Sequence, residues 1–309
     1  MLHFIVGEEE ADERLDRALA ALAGVPRAQA QRWIEAGLVR CNESRARASQ
    51  RVELGDAVAA EPPEPVPLEL EPEPIPLSIL FEDAALVVLD KPAGLVVHPA
   101  PGHARGTLVH ALLHHCRDLA GVGGALRPGI VHRLDAGTSG VMVVAKSDAA
   151  HQGLSLQFRA HSIERVYHAF VRGAPGAEHG RVDRAIGRHP RERKRMSVAA
   201  RVSREARTAW QVLKRYPRHT AARLEVRPET GRTHQIRVHL ASQGLPILGD
   251  PVYGRARAGL PSDVELTRPA LHSALLCFEH PTSGERLRFE APLPADLQAL
   301  DAALAAGVT

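Results

Sequence analysis

The stretch from Glu61 to Pro76 contains seven prolines among its sixteen residues. Proline fixes φ and lacks a backbone N–H donor, so a segment this rich in proline can form neither a helix nor an internal strand. We expect it to run as an extended, polyproline-like linker. The sequence therefore predicts a domain over residues 1–60, a linker over 61–76 and a second domain over 77–309.

The composition indicates a globular protein of a reducing compartment. With 309 residues, 44% hydrophobic, the chain can bury a sizeable core. Cys41, Cys116 and Cys277 lie far apart with no C-x-x-C spacing, which argues against a disulfide framework and a zinc knuckle. The sequence has neither a signal-peptide pattern nor a run of about 20 apolar residues. We expect a cytoplasmic, soluble chain without a membrane partner.

Positive charge is concentrated in one part of the sequence. Lys and Arg exceed Asp and Glu only by 39 to 36 overall, but ten basic residues face three acidic ones between Arg181 and Arg207. A charge run is often no more than a solvated face. Such local concentration is also what a polyanion-binding surface requires, and we favour that interpretation.

The first 60 residues predict two helices followed by short strands. Leu15, Leu19 and Leu22 recur at helical spacing, and this helix is expected to stop at Gly24. A second helix follows, which Gly37 can end in a left-handed cap. The stretches "LVRCN" and "QRVELGDAVAA" then predict strands. The segment is a small α/β module that closes near residue 60.

Strands dominate the remainder of the chain. Examples are "VMVVAKS", "RVYHAFVRG", "ARTAWQVLKRY", "TAARLEVRPE", "LLCFEHP" and "LRFEAP", whereas "GTLVHALLHHC" is the clearest helix. Neither regular β-α alternation nor an internal repeat is present. The pattern predicts an α+β domain with a mostly antiparallel mixed β-sheet and flanking helices.

The stretch "GIVHRLDAGTSGVMVVAKS" places His132, Arg133 and Asp135 before a turn and a buried strand. Asp135 could simply accept backbone N–H bonds and stabilise the turn. "GTSG" could hold a phosphate, but it lacks the P-loop spacing and precedes a strand rather than a helix. The motif is therefore ambiguous when taken alone.

The stretch "GRTHQIRVH" alternates in the manner of a strand. This predicts that Arg232, His234 and Ile236 face one side, and that Thr233, Gln235 and Arg237 face the other. An arginine in a cleft without a carboxylate partner would be costly, so a partner such as Asp135 is expected.

The histidine-rich helix could suggest a metal site. Its candidate ligands are His110, His114, His115 and Cys116. No matching H-E-x-x-H motif accompanies them, so we expect satisfied or exposed histidines and no metal site.

Three motifs occur together and in order: "HRLD-x-x-TSG-x-x-x-x-AK", the tyrosine of "RVYHAFV", and "TGRTHQIRVHL". From about Ile75 to its end, the chain resembles the pseudouridine synthases of the large-subunit ribosomal RNA type. The N-terminal module with "ELGDAV" resembles the alpha-L, or S4-like, RNA-binding module. Together with "KPAGLVVHPAPGH" and "IGRHPRERKRM", it is most similar to the subgroup that modifies uridines in a stem-loop of 23S ribosomal RNA.

The resemblance implies an isomerase that needs no cofactor. It implies that Asp135 is the essential carboxylate, acting at ribose carbon 1 or helping to form a glycal, and that Arg237 pairs with it. Tyr167 would stack on the target uracil and could take a ribose proton, although Tyr is also common in strands. Arg133 would enter the RNA stack where the flipped base has left. His132 would be an orienting hydrogen-bond partner rather than an acid or base.

The remaining expectations concern binding. The predicted substrate-binding residues are His132, Arg133, Arg232, His234 and Gln235. The predicted RNA-binding residues are Arg27 and Arg32 in the first module, and Arg188, Arg191, Arg193, Lys194 and Arg195 in the basic run. The expected partner is 23S ribosomal RNA or a large-subunit assembly intermediate, bound by a monomer. Alternatives are a non-catalytic assembly factor, a synthase of the same family acting on transfer RNA, and a first module that caps the fold without touching RNA.

Overall fold

The computed structural model describes residues 1–25, 27–62, 70–100, 102–116, 119, 122, 128–192 and 195–307. The chain forms two compact units, residues 1–68 and residues 69–309, so the boundary falls inside the proline-rich segment. In the described parts of that segment, 61–62 and 70–76, neither a helix nor a strand forms. Each unit has its own buried apolar core.

The N-terminal unit is a four-stranded antiparallel sheet in the order β1-β4-β2-β3 with a pair of helices. The helices, β2 and β4 are as the sequence predicts, whereas β1 and β3 were not predicted. Gly37 has φ +76°, the left-handed conformation expected after the second helix. The elements are β1 (Leu2–Ile5), α1 (Leu15–Leu22), α2 (Arg27–Glu35), β2 (Val39–Cys41), β3 (Ser44–Arg45) and β4 (Ala57–Ala60).

The C-terminal unit is built on a nine-stranded sheet in the order β5-β6-β7-β15-β8-β14-β13-β9, with β16 added to β15. Among these pairs only β7 and β15 run parallel, which confirms the predicted α+β class with a mostly antiparallel mixed sheet. The strands of this sheet are β5 (Ser78–Glu82), β6 (Leu86–Lys91), β7 (Ser139–Ala145), β8 (Glu164–Arg172), β9 (His179–Asp183), β13 (Arg207–Arg215), β14 (Ala221–Pro228), β15 (Leu271–Glu279) and β16 (Arg286–Glu290).

Helices and a second, small sheet complete this unit. The small sheet has the order β11-β10-β12 and carries the basic run. Its strands are β10 (Ile186–Arg188), β11 (Met196–Ser197) and β12 (Ser203–Arg204); the helices are α3 (Leu108–His115), α4 (Asp148–Ala160), α5 (Gln235–Ser242) and α6 (Ala295–Ala306), with a 3-10 turn at Pro217–His219.

Strand β7 is buried along its whole length. Met142 and Val144 pack into one core with residues of α3, α5 and α6, whereas Val141 and Val143 pack into another with residues of α4. A strand covered on both faces needs apolar side chains at every position. This explains the continuous apolar run that follows Asp135.

The strand prediction for "GRTHQIRVH" is wrong, because this stretch begins the helix α5. All residues from Gln235 to Leu240 are buried. In a helix that is buried on every side, the apolar side chains need not follow a helical period, because the polar ones between them can bond internally. Nδ1 of His239 bonds the Thr208 hydroxyl at 2.8 Å, and Arg237 pairs with Asp250.

Gly140 in the "GTSG" turn allows β7 and β15 to approach closely. Its φ is +112°, and a Cβ added there would lie 2.1 Å from the carbonyl oxygen of Ser273, the residue it faces across the parallel pair. A glycine is therefore needed here so that the two parallel strands can lie close together.

Gly140→Ala is expected to lower the free energy of unfolding by about 3 kcal/mol, because backbone must shift and the new residue is strained. Urea unfolding measures the change. Gly176→Ala is the matched control, since a Cβ there meets open space and the free energy should stay within about 0.5 kcal/mol of the parent. Equal stability of the two variants would contradict this account of the turn.

Candidate active site

A cleft of about 680 Å³ opens in the C-terminal unit. Its walls come from the loop before β7, from β8 and from the start of α5. The structure thereby brings together residues that lie far apart in sequence, namely His132, Arg133, Asp135, Tyr167, His234 and Arg237.

A buried lysine fixes the loop that carries Asp135. Nζ of Lys91 donates hydrogen bonds to the carbonyl oxygens of Pro92 (2.7 Å), Leu95 (2.9 Å) and Ala136 (3.3 Å). Burial lowers the pKa of Lys91 to about 7. The lysine joins the "KPAG" turn to the residue that follows Asp135, so the two loops form one support.

Arg268 holds the same loop from the other side. Its guanidinium binds both oxygens of Asp296 at 2.7 and 2.8 Å, and its Nη1 donates to the carbonyl oxygen of Gly137 at 3.2 Å. The backbone on both sides of the turn is thus anchored to side chains.

Asp135 and Arg237 form an ion pair in the cleft. Arg237 Nη1 lies 3.2 Å from Asp135 Oδ2. The exposed fraction of the side chain is 18% for Asp135 and 7% for Arg237, so the carboxylate reaches solvent while its partner is buried. The pair that the sequence predicts is present.

Arg237 has a second carboxylate partner that the sequence reasoning missed. Its Nε and Nη2 bind the two oxygens of the fully buried Asp250 at 2.7 and 2.9 Å. Burial acts to raise the pKa of Asp250, but Arg237 and the N–H groups of Val252 and Tyr253 outweigh it and hold the pKa below its ordinary value. The two-point contact fixes the guanidinium, and the remaining nitrogen is aimed at Asp135.

His234 lies beside the Asp135–Arg237 ion pair and has an unusual backbone conformation. It precedes α5 with φ +56°, a left-handed value uncommon outside glycine. Its Nδ1 is hydrogen bonded to the Tyr253 hydroxyl at 2.8 Å, and its Nε2 lies 4.0 Å from Asp135 Oδ2. Burial lowers the pKa of His234. The only sequence signal for Tyr253 was its place in "LGDPVYG".

A hydrogen bond to the backbone of β7 and a ring contact hold His132 in place. Its Nε2 accepts the N–H of Val143 at 3.1 Å, and its ring stacks on Phe158 with 4.6 Å between centroids. Burial lowers the pKa of His132 to about 3. The ring is therefore neutral near pH 7, and it orients the loop against β7.

Tyr167 lies on β8 and lines the cleft. It is buried, and burial raises the pKa of its phenol. Two residues earlier, Arg165 donates through Nη2 to the carbonyl oxygens of Pro228 and Glu229 at 3.1 and 3.2 Å. No carboxylate in the described part of the chain pairs with Arg165, so this wall carries a positive charge.

The other predicted substrate-binding residues differ in what they can offer. The Gln235 amide is used inside the protein: its oxygen accepts from Thr230 Oγ1 and from the Arg232 N–H, and its nitrogen donates to the Arg207 carbonyl and to Thr208. Nε of Arg232 bonds the carbonyl oxygen of Glu205 at 3.0 Å. Their contacts with substrate stay predictions.

Arg133 differs from Gln235 and Arg232 because its side chain is exposed at the cleft. Its side chain forms no ion pair within the described residues. An exposed guanidinium at this place is free to enter an RNA stack, and this role also stays a prediction.

The basic run extends from the small sheet. We call residues 186–204 the basic arm; Arg188 and Arg191 are exposed on it, whereas Arg193 and Lys194 lie outside the described residues. The guanidinium of Arg195 lies over the Tyr253 ring, 5.6 Å from its centroid. The arm is thus joined to the side of the cleft that holds Arg237.

In the N-terminal unit, Arg27 is engaged in an ion pair. It binds the buried carboxylate of Asp16 at 2.8 Å, which also receives bonds from Arg14 and Gln31. Burial acts to raise the pKa of Asp16, but these donors outweigh it and hold the pKa far below its ordinary value. Arg32 makes no ion pair with a described residue, so it is the freer of the two predicted RNA ligands.

A cluster of possible metal ligands lies away from the cleft. The ligand atoms of Glu82, His115 and Cys116 are within 4.8 Å of one another. Glu82 is already bonded to the Lys146 ammonium at 2.6 Å and to His115 Nε2 at 2.7 Å. The carboxylate thus has a cation at hydrogen-bonding distance.

The described helices are all too short or too polar to cross a bilayer. The cleft holds a carboxylate, a guanidinium fixed by a second carboxylate, and a buried phenol. This set can act on a bond at a sugar carbon and can hold a flat base.

Comparison with known proteins identifies the class that this fold and site define. Residues 85–242 match the family model described as RNA pseudouridylate synthase, and residues 13–58 match the S4 domain. A human protein, RNA Pseudouridylate Synthase Domain Containing 1, has a similar fold, with a TM-score of 0.58 and 27% identity over 78% of this chain and 90% of that one.

Bacterial relatives resemble the chain over almost its whole length. A Chloroflexus aurantiacus protein named as an uncharacterized RNA pseudouridine synthase is 51% identical over 95% of this chain and 90% of its own. The ribosomal large subunit pseudouridine synthase D of Zymomonas mobilis is 44% identical over 95% of this chain and 94% of its own. The chain belongs to the RNA pseudouridine synthases, which are isomerases, and it carries an N-terminal S4 domain.

Proposed function

We propose that the enzyme converts specific uridines to pseudouridine in 23S ribosomal RNA, at a stem-loop of the helix 69 type. The catalytic proposal rests on one observation, the Asp135 carboxylate held at 3.2 Å by an arginine that Asp250 fixes in place. The choice of RNA is supported by the S4 domain, the basic arm and the names of relatives that act on the large ribosomal subunit.

The reaction breaks the bond between ribose C1′ and uracil N1, turns the base and joins C1′ to uracil C5. The C5 proton is lost and N1 gains one, so uridine and pseudouridine are isomers. Asp135 begins the reaction by attacking C1′ or by accepting a ribose proton so that a glycal forms. Arg237 keeps the carboxylate oriented, and Tyr167 supports the detached uracil while it turns.

The target base must leave the RNA stack before Asp135 can reach its sugar. Flipping costs a few kcal/mol, which contacts to the flanking RNA must offset. Arg133 at the mouth of the cleft occupies the gap, and the basic arm binds phosphates on either side.

The test maps pseudouridine in total RNA from cells with the gene, cells without it, and deleted cells supplied with the Asp135→Asn form. We expect sites in the 23S ribosomal RNA to disappear on deletion and to return only with the parent enzyme. Loss of sites confined to transfer RNA would contradict the proposed substrate and would support the alternative within the same family.

Removal of residues 1–68 is expected to weaken RNA binding about tenfold or more while leaving catalysis intact. The S4 domain has its own core, and all residues of the cleft lie in the C-terminal unit. Single-turnover rates at saturating stem-loop RNA and the dissociation constant measure the two effects. A truncated enzyme that is folded and fully inactive at saturating RNA would contradict the prediction.

A further inference from the structure

We propose that Tyr253 is a positioning residue: its hydroxyl keeps His234 in the tautomer that presents Nε2–H to Asp135, and it joins this arrangement to the basic arm. The catalytic part of this inference rests on the proposed function. The hydrogen bonds that carry it can be tested without any RNA.

The tautomer follows from counting donors and acceptors around the hydroxyl. The backbone N–H of Met196 donates to the Tyr253 oxygen at 2.7 Å. The hydroxyl still has its own proton to donate, and the acceptor at 2.8 Å is His234 Nδ1. Among the described residues no other acceptor bonds this hydroxyl. The assignment in which the hydroxyl proton has an acceptor among these residues leaves Nδ1 unprotonated and places the imidazole proton on Nε2.

The protonated nitrogen is the one that faces the catalytic carboxylate. Nε2 lies 4.0 Å from Asp135 Oδ2, whereas N–H···O bonds form at about 2.7–3.2 Å, so closure by about 1 Å makes the bond. Hydrogen bonds of catalytic groups are often long until substrate is bound. His234 can thus add a neutral donor to the carboxylate, beside the charged donor from Arg237.

The same hydroxyl adds to the neutrality of His234, which burial already favours. A second proton would have to sit on Nδ1, where it would oppose the proton that Tyr253 donates. The charged groups that act on His234 are Asp135, Asp250, Arg237 and Arg133. Two of these groups are acidic and two are basic, so their charges largely offset one another. The hydroxyl adds a preference for the neutral imidazole that these charges do not supply.

The hydroxyl also connects the site to the basic arm. Met196 begins β11 and follows Arg195, whose guanidinium lies over the Tyr253 ring. Arg237 lies over the same ring, 5.1 Å from its centroid. RNA bound at the arm would therefore lie two hydrogen bonds from His234, through the Met196 N–H and the Tyr253 hydroxyl. Tyr253→Phe keeps the ring and removes only the hydroxyl.

The first experiment reads the tautomer by ¹⁵N NMR of histidine-labelled full-length protein, with the His234 signals assigned by their loss in His234→Gln. We expect an unprotonated Nδ1 and a protonated Nε2 in the parent, and loss of this pattern in Tyr253→Phe. A protonated Nδ1 in the parent would overturn the proposal, whatever the RNA substrate proves to be.

The second experiment measures single-turnover rates across pH on the RNA that mapping identifies. Tyr253→Phe should lower the maximal rate by up to about 100-fold with KM within about twofold, and should move the acid limb of the profile to higher pH because His234 protonates more readily. Tyr216→Phe is the matched control, since it removes a buried hydroxyl bonded to Asp301 at 2.7 Å outside the cleft. Identical rates and profiles for the two variants would overturn the proposal.

Discussion

Asp135→Asn is expected to lower the rate of pseudouridine formation by at least about 10³-fold while the protein folds and binds RNA as the parent does. The amide keeps the shape of the side chain, and its oxygen can still accept the Arg237 hydrogen bond. It can neither attack a sugar carbon nor accept a proton. The measurement is single-turnover pseudouridine formation, with the dissociation constant for RNA determined in parallel.

A control separates this effect from a general loss of negative charge. Asp263→Asn removes a carboxylate that is exposed, and its rate should equal that of the parent. An Asp135→Asn enzyme with activity within tenfold of the parent would remove Asp135 from the catalytic role.

Arg237→Met is expected to lower both stability and turnover. The substitution leaves the fully buried Asp250 without the guanidinium that binds both its oxygens, and an unpaired buried charge costs about 3–5 kcal/mol. The pKa of Asp250 is held down in the folded parent, so the Arg237 contribution to stability is present above the unfolded-state pKa and is lost as pH falls through the folded one. Urea unfolding at neutral and acidic pH measures it.

A second substitution distinguishes the structural role of Arg237 from its role at Asp135. In Arg237→Met with Asp250→Asn, the buried charge is gone and the amide oxygen can still accept the N–H groups of Val252 and Tyr253. We expect this double variant to regain most of the stability but little of the turnover. Recovery of both together would show that Arg237 acts on catalysis only through the fold.

The sequence predicted most strands of the main sheet because a local pattern marks them, but it did not predict β9. Strand β7 has an apolar residue at nearly every position, and α3 is a compact apolar helix between turns. The helix α5 could not be predicted this way. Its residues from Gln235 to Leu240 are all buried, so the polar ones bond partners elsewhere in the chain. Polar and apolar residues therefore alternate along the sequence, which is the pattern expected of a strand.

The sequence also predicted the pairing of Asp135 with Arg237, because a resemblance joined two distant motifs. The roles of Asp250 and Tyr253 were not predicted. Each acts through a contact with a residue more than ten positions away, Arg237 for the first and His234 for the second, and no spacing rule links such residues. Lys91 was missed for a related reason, since a buried lysine is recognised only when its three carbonyl acceptors are known.

Strand β7 follows the loop that carries Asp135. It pairs with β6 on one side and with β15 on the other, and both its faces are covered. Backbone in such a position opens to solvent only when most of the domain opens with it. Amide hydrogens of β7 that bond to β6 should therefore exchange among the slowest in the protein, while that of the exposed Arg191 exchanges fast. The strand behind Asp135 is therefore expected to stay in place, so apart from the closure of about 1 Å at His234, the rearrangement that brings a ribose to the carboxylate falls on the RNA.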